Sequence, residues 1–476
     1  MFTMKNKYLV LSLLCGALFF SVKPALAADW YVDATNGSDS ASGTEAAPWK
    51  TLGKINSSSI AGGDTVYLKG VFDSTNLLVL DATIQGVSAS NPTTIQNWVD
   101  ETPILQLTGN EENNIDVTGN YFVISGLQFN NNDSFLTQSH SIYINSDSSF
   151  IQINNNTFKD AFAGVKLDTG ANNITIDANA FANNYYGVAL TNGDANTVTV
   201  TNNVFYNNTG VGIGGNTTTD LSIVNNTFYN ASAGIYLVAS TGLIENNIFV
   251  NHTDQAIGIG STDVMTLDYN MFYNNTNVGT LIPSAVGEEY VSYSSLADWQ
   301  VVGYDANSIS DDPLFTSTTS GSEDFHLLGD SPAIDVGADL SAFVTTDYDG
   351  EARPQGSAFD IGYDENVVLD SNNDTPAQVK GVKVPSSYKK STQAKVKWNE
   401  TDNATSYVIN LYKYKTKTGK YTAYKTYTIS DATTYKTIKN LTAGTKYKVQ
   451  VRAKNTVDGE TYKGAWSDWY KFTTKK

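Results

Sequence analysis

The sequence predicts an all-β protein whose middle is a stack of equivalent coils, and three observations carry that expectation. Phe158, Phe181, Phe205, Phe228, Phe249 and Phe272 recur at intervals of 23, 24, 23, 21 and 23 residues, the mark of an internal repeat rather than a single compact core. Apolar residues stand five and seven positions before most of them, as in Ile153 with Ile151 or Val200 with Val198, the alternation of a strand with one buried face. Two positions before each Phe there is an asparagine: Asn156, Asn179, Asn203, Asn226, Asn247 and Asn270.

Each coil then reads as strand, asparagine bend, Phe, polar bend and a second short strand usually opened by Gly. Examples are Gly164-Val165-Lys166-Leu167, Gly187-Val188-Ala189-Leu190, Gly210-Val211-Gly212-Ile213 and Gly234-Ile235-Tyr236-Leu237. Equivalent strands must lie parallel and in register, about 4.8 Å apart. A side-chain amide carries donors and an acceptor, so a column of asparagines at one bend can bond coil to coil and satisfy polar groups the bend would strand inside.

The ends of the chain set expectations for its location. Lys5 and Lys7 precede an apolar run from Tyr8 to Phe20, and Ala25-Leu26-Ala27 supplies small residues, so residues 1–27 read as a secretory signal peptide cleaved after Ala27. The protein is expected to be secreted and extracellular. Cys15, the only cysteine, lies inside that apolar run, so the mature chain is expected to hold no disulfide. No later segment is long and apolar enough to predict a membrane span.

Several segments carry a resemblance. The repeat resembles the right-handed parallel β-helix of the pectate-lyase-like superfamily. Asp29 to Ile55 followed by Gly62 to Gly70 is similar to the entry segment of secreted β-helix proteins, where a short helix caps the barrel before the first strand, and Val117 to Phe129 resembles an early coil. Ser295 to Phe315, Asp324 to Gly337 and Asp347 to Gly362 resemble the closing region of the choice-of-anchor Q family. The resemblance covers Asp29 to Glu365 and implies one β-helix domain over residues 28–365. It implies the fold and leaves the activity open, because this fold hosts lyases, hydrolases, epimerases, esterases and proteins without chemistry.

Composition changes after a linker over residues 366–376. Residues 377–476 hold Trp398, Tyr407, the turn Leu441 to Tyr447 and the run Gly464 to Phe472, and resemble a fibronectin type III β-sandwich, in which Leu441 and Tyr447 fit the corner joining the sheets. Charge divides at the same place. From Asp374 onward 21 Lys and Arg face 7 acidic residues, a net +14, whereas the mature body before it holds 6 against 41, a net −35. So acidic a body repels a polyanion unless divalent cations bridge the two, and it makes nucleic acid a poor partner. The basic domain is the better candidate for contacting anionic cell-surface polymers. There Tyr412, Tyr414, Tyr421, Tyr424 and Tyr427 alternate with Lys413, Lys415, Lys417, Lys420 and Lys425. These are also ordinary solvent-face strand residues.

Chemistry on stacked coils falls on outward strand positions, which repeat into columns a polymer can follow. One column reads Tyr143, Lys166, Ala189, Gly212, Tyr236, Gly258, and two residues on the next reads Asn145, Asp168, Thr191, Gly214, Val238, Gly260. Lys166 alone among the body's cations is placed there. For β-elimination of a uronate it reads as the base, Tyr143 as the acid and Asn145 or a bound cation as the neutraliser of the carboxylate, with Asp168, Thr191 and Tyr236 contacting substrate. The alternative is a surface lysine paired with Asp168. Glu245 and Asp268 fall on a further column as vertical neighbours, a candidate Ca²⁺ pair.

Motifs of several β-helix enzymes are missing, including a Gly-His-Gly strand, an Asp-Pro-His run and a clustered-Asp calcium motif. His140, His252 and His326 show no metal-ligand spacing. Two functions stay open: a secreted carbohydrate-active enzyme, foremost a polysaccharide lyase, and a noncatalytic surface or matrix protein that binds glycans.

Overall fold

The computed structural model describes residues 27–73, 77–107, 113–131, 138–190, 195–285, 287–366, 375–430, 433–457 and 460–476. The chain divides into two compact units at residue 366. The expected signal peptide and most of the expected linker lie outside the described residues.

The first unit is a parallel β-helix. Ser149–Asn154 belongs to a first sheet, Thr157–Lys159 to a second and Ala163–Leu167 to a third, and Asn172–Asp177 returns to the first one layer up. Among the described residues the three sheets hold ten, nine and ten strands. Pairing is parallel until Val291–Tyr293, which closes the third sheet antiparallel to Gly279–Ile282.

Two bends per coil explain the wealth of asparagine. Asn155, Ala178, Asn202, Asn225, Asn246 and Tyr269 each adopt φ of 52–57°, and at the next bend Asp160, Asn183, Asn207, Asn230, Asn251 and Asn274 adopt 52–60°. Asn and Asp are the side-chain-bearing residues that tolerate this left-handed region best. The ladder expected at the first bend is present: the backbone N and Nδ2 of Asn156 both donate to Asn179 Oδ1, at 2.9 and 3.1 Å. The pattern repeats up to Asn247 on Asn270.

A second ladder at the other bend was not read from the sequence. Asn184 Oδ1 accepts from Ala161 N at 3.1 Å, Asn208 Oδ1 from Asn184 N at 2.9 Å, and Asn275 Oδ1 from His252 N at 3.0 Å. His252 occupies a rung of this ladder. The carbonyls of Ala231 and Phe228 face its ring, and burial pulls its pKa down to about 4, leaving it neutral.

All six expected phenylalanines are buried, and neighbouring rings stack with centroids 4.7–5.5 Å apart. Phe129 extends the column one coil down at 4.9 Å. Phe181, Phe205, Phe228 and Phe249 lie against inward glycines of the third sheet. A Cβ on Gly187 would sit 2.5 Å from the Phe205 ring and 2.6 Å from the Gly212 carbonyl oxygen, so no side chain fits there. Register corrects the sequence reading at one coil: Val188 pairs with Ile213 and Ala189 with Gly214, so Gly212, not Gly210, is the equivalent of Gly187. The bend after Phe205 is one residue longer than the bend after Phe181.

The ends are capped from within the unit. Helix Leu52–Asn56 buries Leu52 and Ile55 over the lower end, but it follows the strand Asp29–Asp33 rather than preceding it, because that strand already pairs with Thr65–Lys69. At the other end helix Leu296–Val301 buries Trp299 in the main core. The chain then folds back along the outside: Leu327, Ala333 and Ile361 pack on Ile248, Val250 and Met271, and Phe325 and Tyr363 pack on Ala180 and Val204. These contacts cover the outward residues of the second sheet. Arg353 and Glu365, both fully buried, pair at 2.8 Å inside the returning segment.

The second unit has a two-stranded sheet, Ala394–Lys397 with Tyr435–Ile438, and a five-stranded sheet built on Ser406–Lys415, Lys420–Ile429, Lys446–Val457, Glu460–Lys463 and Tyr470–Thr473. One core containing Trp398, Tyr407 and Tyr447 joins them. Tyr447 Oη accepts from Thr442 N at 2.9 Å, pinning the turn at Leu441. No helix among the described residues is long and apolar enough to cross a membrane.

Candidate functional site

The returning segment lies over the second sheet and the edge of the first, where Asp177, Thr201, Asn202 and Thr346 line a cleft of about 330 Å³. Asp177 is committed there, accepting from Thr201 Oγ1 at 2.6 Å and Asn202 Nδ2 at 3.0 Å. The third sheet keeps its outward columns.

Register defines two of these columns side by side. The first runs Asp116, Tyr143, Lys166, Ala189, Gly214, Tyr236, Gly258, Thr280. It is the column expected from the sequence with Gly214 in place of Gly212. The second runs Asn113, His140, Ala163, Tyr186, Val211, Ala233, Gln255, and was not foreseen. Its signal was present: one inward residue, Asn114, Ser141, Ala256 or a glycine, separates it from the buried branched residue of each strand, so outward positions recur three residues apart instead of two.

Three of the residues expected at the site, Tyr143, Lys166 and Asp168, come together. Tyr143 Oη donates to Asp168 Oδ2 at 2.5 Å, and Lys166 Nζ lies 5.0 Å from the Tyr143 ring centroid. Asp168 Oδ1 also accepts from Thr169 N at 2.8 Å. Asn145 follows the Tyr143 strand directly, its backbone N donating to Val117 O at 2.9 Å. Tyr236 stands four strand spacings from Tyr143, about 19 Å along the column. Thr191 lies outside the described residues, and Asn216 rather than Gly214 is the register partner of Val238.

His140 joins this group. Its Nδ1 lies 2.8 Å from Asn113 Oδ1, and Asn113 Nδ2 donates to Asp116 Oδ1 at 2.6 Å. That chain of donors puts the proton on Nδ1 and leaves Nε2 as the basic nitrogen. Burial first, then the charge of Lys166, pull the imidazole down to about 4, so it is neutral at physiological pH. Its ring stacks on Tyr143 at 5.7 Å.

Farther along, aromatic rings lie over outward glycines. Tyr186 sits where a Cβ on Gly214 would be 2.8 Å from its ring, and Tyr236 where a Cβ on Gly258 would be 3.3 Å away. Phe162 and Tyr185 stack beside Tyr186, and Tyr236 Oη meets Tyr290 Oη at 3.4 Å. Burial and then the Tyr290 hydrogen bond raise Tyr236 to about 12, so it stays a neutral phenol.

Two acidic groups bear on metal binding. Glu245 and Asp268 are register partners as expected, and burial followed by the Asp268 charge raises Glu245. Asp268 is engaged through both oxygens by Asn307, at 2.6 and 2.7 Å. A Ca²⁺ ion there would share Asp268 with Asn307 and would take the rest of its six to eight oxygens from outside the pair. Among the described residues one group of three candidate ligands is formed by His326, Asp349 and Asp364. His326 Nδ1 bonds Asp324 and its Nε2 bonds Asp349 at 2.7 Å. Burial pulls this imidazole down, but the two carboxylates outweigh it and hold the pKa near 9. With both ring nitrogens of His326 engaged by carboxylates, the cluster forms an ion-pair network of the returning segment.

A family profile described as a right handed beta helix region matches residues 70–213 and, overlapping them, 140–288. No curated protein matches the chain. Among solved structures, the GH136 lacto-N-biosidase from Eubacterium ramulus aligns with 14% identity and a TM-score of 0.44, over 53% of this chain and 57% of that one. A rhamnogalacturonan lyase aligns with 14% identity and a TM-score of 0.32, over 62% and 84%. The FN5 domain of Drosophila Lar aligns with 21% identity and a TM-score of 0.17, over 21% of this chain and 99% of that domain. Parallel register through three sheets, together with the profile match, makes the first unit a right-handed parallel β-helix.

Proposed function

We propose that this is a secreted carbohydrate-active protein that holds an extracellular polysaccharide along the outward columns of the third sheet. The observation that carries the reading is the placement of Tyr186 and Tyr236 over Gly214 and Gly258, in line with Lys166 and Tyr143. Outward glycines let rings lie flat against the sheet, and flat, partly exposed phenol rings suit the apolar faces of sugar rings. The separation of about 19 Å between Tyr143 and Tyr236 suits a polymer rather than a single sugar.

The chemistry proposed is β-elimination of a uronate polymer. Lys166 Nζ, as the neutral amine, takes the proton at C5; the C4–O bond breaks as the C4–C5 double bond forms; Tyr143 Oη gives its proton to the leaving oxygen. Asn145 neutralises the uronate carboxylate by hydrogen bonding, and calcium bridging the acidic body to the polymer belongs to the same reading. The second unit is proposed as a fibronectin type III sandwich on the strength of the Tyr447 corner. Residues 1–27 are proposed as a cleaved signal peptide, and the returning segment as a closing region of the choice-of-anchor type.

A noncatalytic glycan-binding protein is the second reading. It is favoured by the Tyr143 proton already being donated to Asp168 and by Lys166 resting on the Tyr143 ring. One experiment separates the two. The mature protein is incubated with uronate polymers, with calcium or with EDTA, while ultraviolet absorbance follows unsaturated products and a pull-down follows binding. Product formation lost in Lys166→Ala at unchanged melting temperature supports the lyase. Binding without product supports the second reading, and neither binding nor product overturns both.

A further inference from the structure

We infer that the outward face of the five-stranded sheet in the second unit is a docking surface for a linear anionic glycan. The sequence suggested an alternation of Tyr and Lys within one hairpin, but pairing breaks it up. Lys425 and Tyr427 pair with Leu411 and Ile409, which are buried, so they belong to the core-side face. The cations of the outward face come instead from the neighbouring strand, where Lys446, Lys448, Arg452 and Lys454 alternate with buried Tyr447, Val449, Val451 and Ala453.

Three of those cations, Lys446, Lys448 and Arg452, sit on aromatic rings rather than on carboxylates. Lys448 Nζ lies 3.8 Å from the Trp469 ring centroid and 5.2 Å from that of Tyr412, Lys446 Nζ lies 5.7 Å from Tyr414, and the Arg452 guanidinium lies 4.6 Å from Trp466. Among the described residues none of them enters an ion pair. The sheet also places like charges directly opposite each other, Lys448 across from Lys471 and Lys454 across from Lys463. Such pairs work against folding, and an isolated domain would relieve them with an acidic neighbour. Between Gly464 and Lys476 the single acidic residue is Asp468.

A row of cations without ion pairs among the described residues, three of them held on rings, complements a chain of regularly repeated anions. Residues two apart on a strand repeat at about 7 Å, and the tryptophan and tyrosine rings between them add surfaces for sugar rings. Because the rings call for sugar faces beside the charges, the occupant is a carboxylated glycan, and a glycerol-phosphate polymer, which has the charge without the rings, is the contrasting probe.

The full mature chain is titrated with polygalacturonate and, separately, with a glycerol-phosphate polymer, at low salt and at physiological salt, with duplex DNA as a third probe. Binding to polygalacturonate that weakens with salt is expected, together with about tenfold loss in the double variant Lys448→Gln, Lys471→Gln. The control Lys395→Gln, Lys397→Gln removes the same charge from the two-stranded sheet and should stay within about twofold of the parent. Unchanged melting in both variants shows the fold intact. Equal loss in both doubles, no binding by the parent, or tighter binding to DNA or to the glycerol-phosphate polymer than to polygalacturonate would overturn the assignment. Repeating the titration in a Tyr236→Ala background, which weakens the third-sheet columns, should leave the loss caused by Lys448→Gln, Lys471→Gln in place, so failure here is distinct from failure of the polysaccharide reading.

Discussion

Asn270 passes the top of the asparagine ladder to Asp305: its Nδ2 donates to Oδ1 at 2.8 Å. The same carboxylate accepts from Ser308 Oγ at 2.6 Å and from Trp299 Nε1 at 2.8 Å. A column of amides would otherwise end on an unpaired buried donor, so this one acid finishes both the ladder and the apolar core beneath Trp299. Burial raises its pKa to about 6. Asp305→Ala strands three donors and should cost about 3 kcal/mol or more. Chemical denaturation measures it, and a loss below about 1 kcal/mol would mean water replaces the carboxylate.

The phenylalanine stack predicts a cavity effect. Phe205→Ala should destabilise by about 3–5 kcal/mol, because the rings above and below are held in register and cannot close the gap. Gly187→Ala should also destabilise, by about 1–3 kcal/mol, through overpacking against the Phe205 ring and the Gly212 carbonyl. An unchanged melting temperature in either variant would contradict the stack.

His326 gives the returning segment a pH signature. Its folded pKa, near 9, lies above the ordinary value of 6.5. A base whose pKa is raised by folding contributes stability fully below 6.5 and loses it as pH rises toward 9. Melting temperature should therefore fall across that window in the parent, and His326→Gln should flatten the fall. Parallel profiles for parent and variant would assign the pH dependence to other groups.

Gly214 offers a test of the saccharide columns that spares every proposed catalytic group. A side chain there pushes against Tyr186, whose ring lies 2.8 Å from the position of the new Cβ. Gly214→Val should weaken oligosaccharide binding about tenfold by lifting that ring, at little cost in stability, since the displaced atoms are the end of a side chain at the surface. Calorimetric titration reads the effect, and unchanged affinity would remove Tyr186 from the binding path.

The repeat itself was legible because burial and bonding fall on fixed phases: the six Phe and the six Asn before them occupy the expected columns. The second ladder was harder to see because Ala161, Ala231 and His252 interrupt its asparagines, and a bend residue with a polar side chain reads as ordinary turn chemistry. Gly210-Val211 imitated the Gly-Val opening of its neighbours, and only pairing showed that the longer bend shifts the strand to Gly212. At the site, Tyr143 and Lys166 were readable as one outward column and Asp168 as part of the column beside it. His140 was not, since its place depends on an inward Ser141 that breaks simple alternation. The cations of the second unit were misplaced because sequence neighbours on a hairpin are not the residues that meet across a sheet.

Coil-to-coil ladders make length a free variable of this architecture. Every rung looks the same to the rung above it, so one whole turn, such as the stretch between Asn179 and Asn203, can be excised or duplicated without changing what its neighbours bond to. Shortening the chain by that turn would bring Lys166 and Tyr236 one layer, about 4.8 Å, closer. A lineage of such proteins could thus retune the span of its binding columns by gaining or losing single turns, while both caps stay as they are.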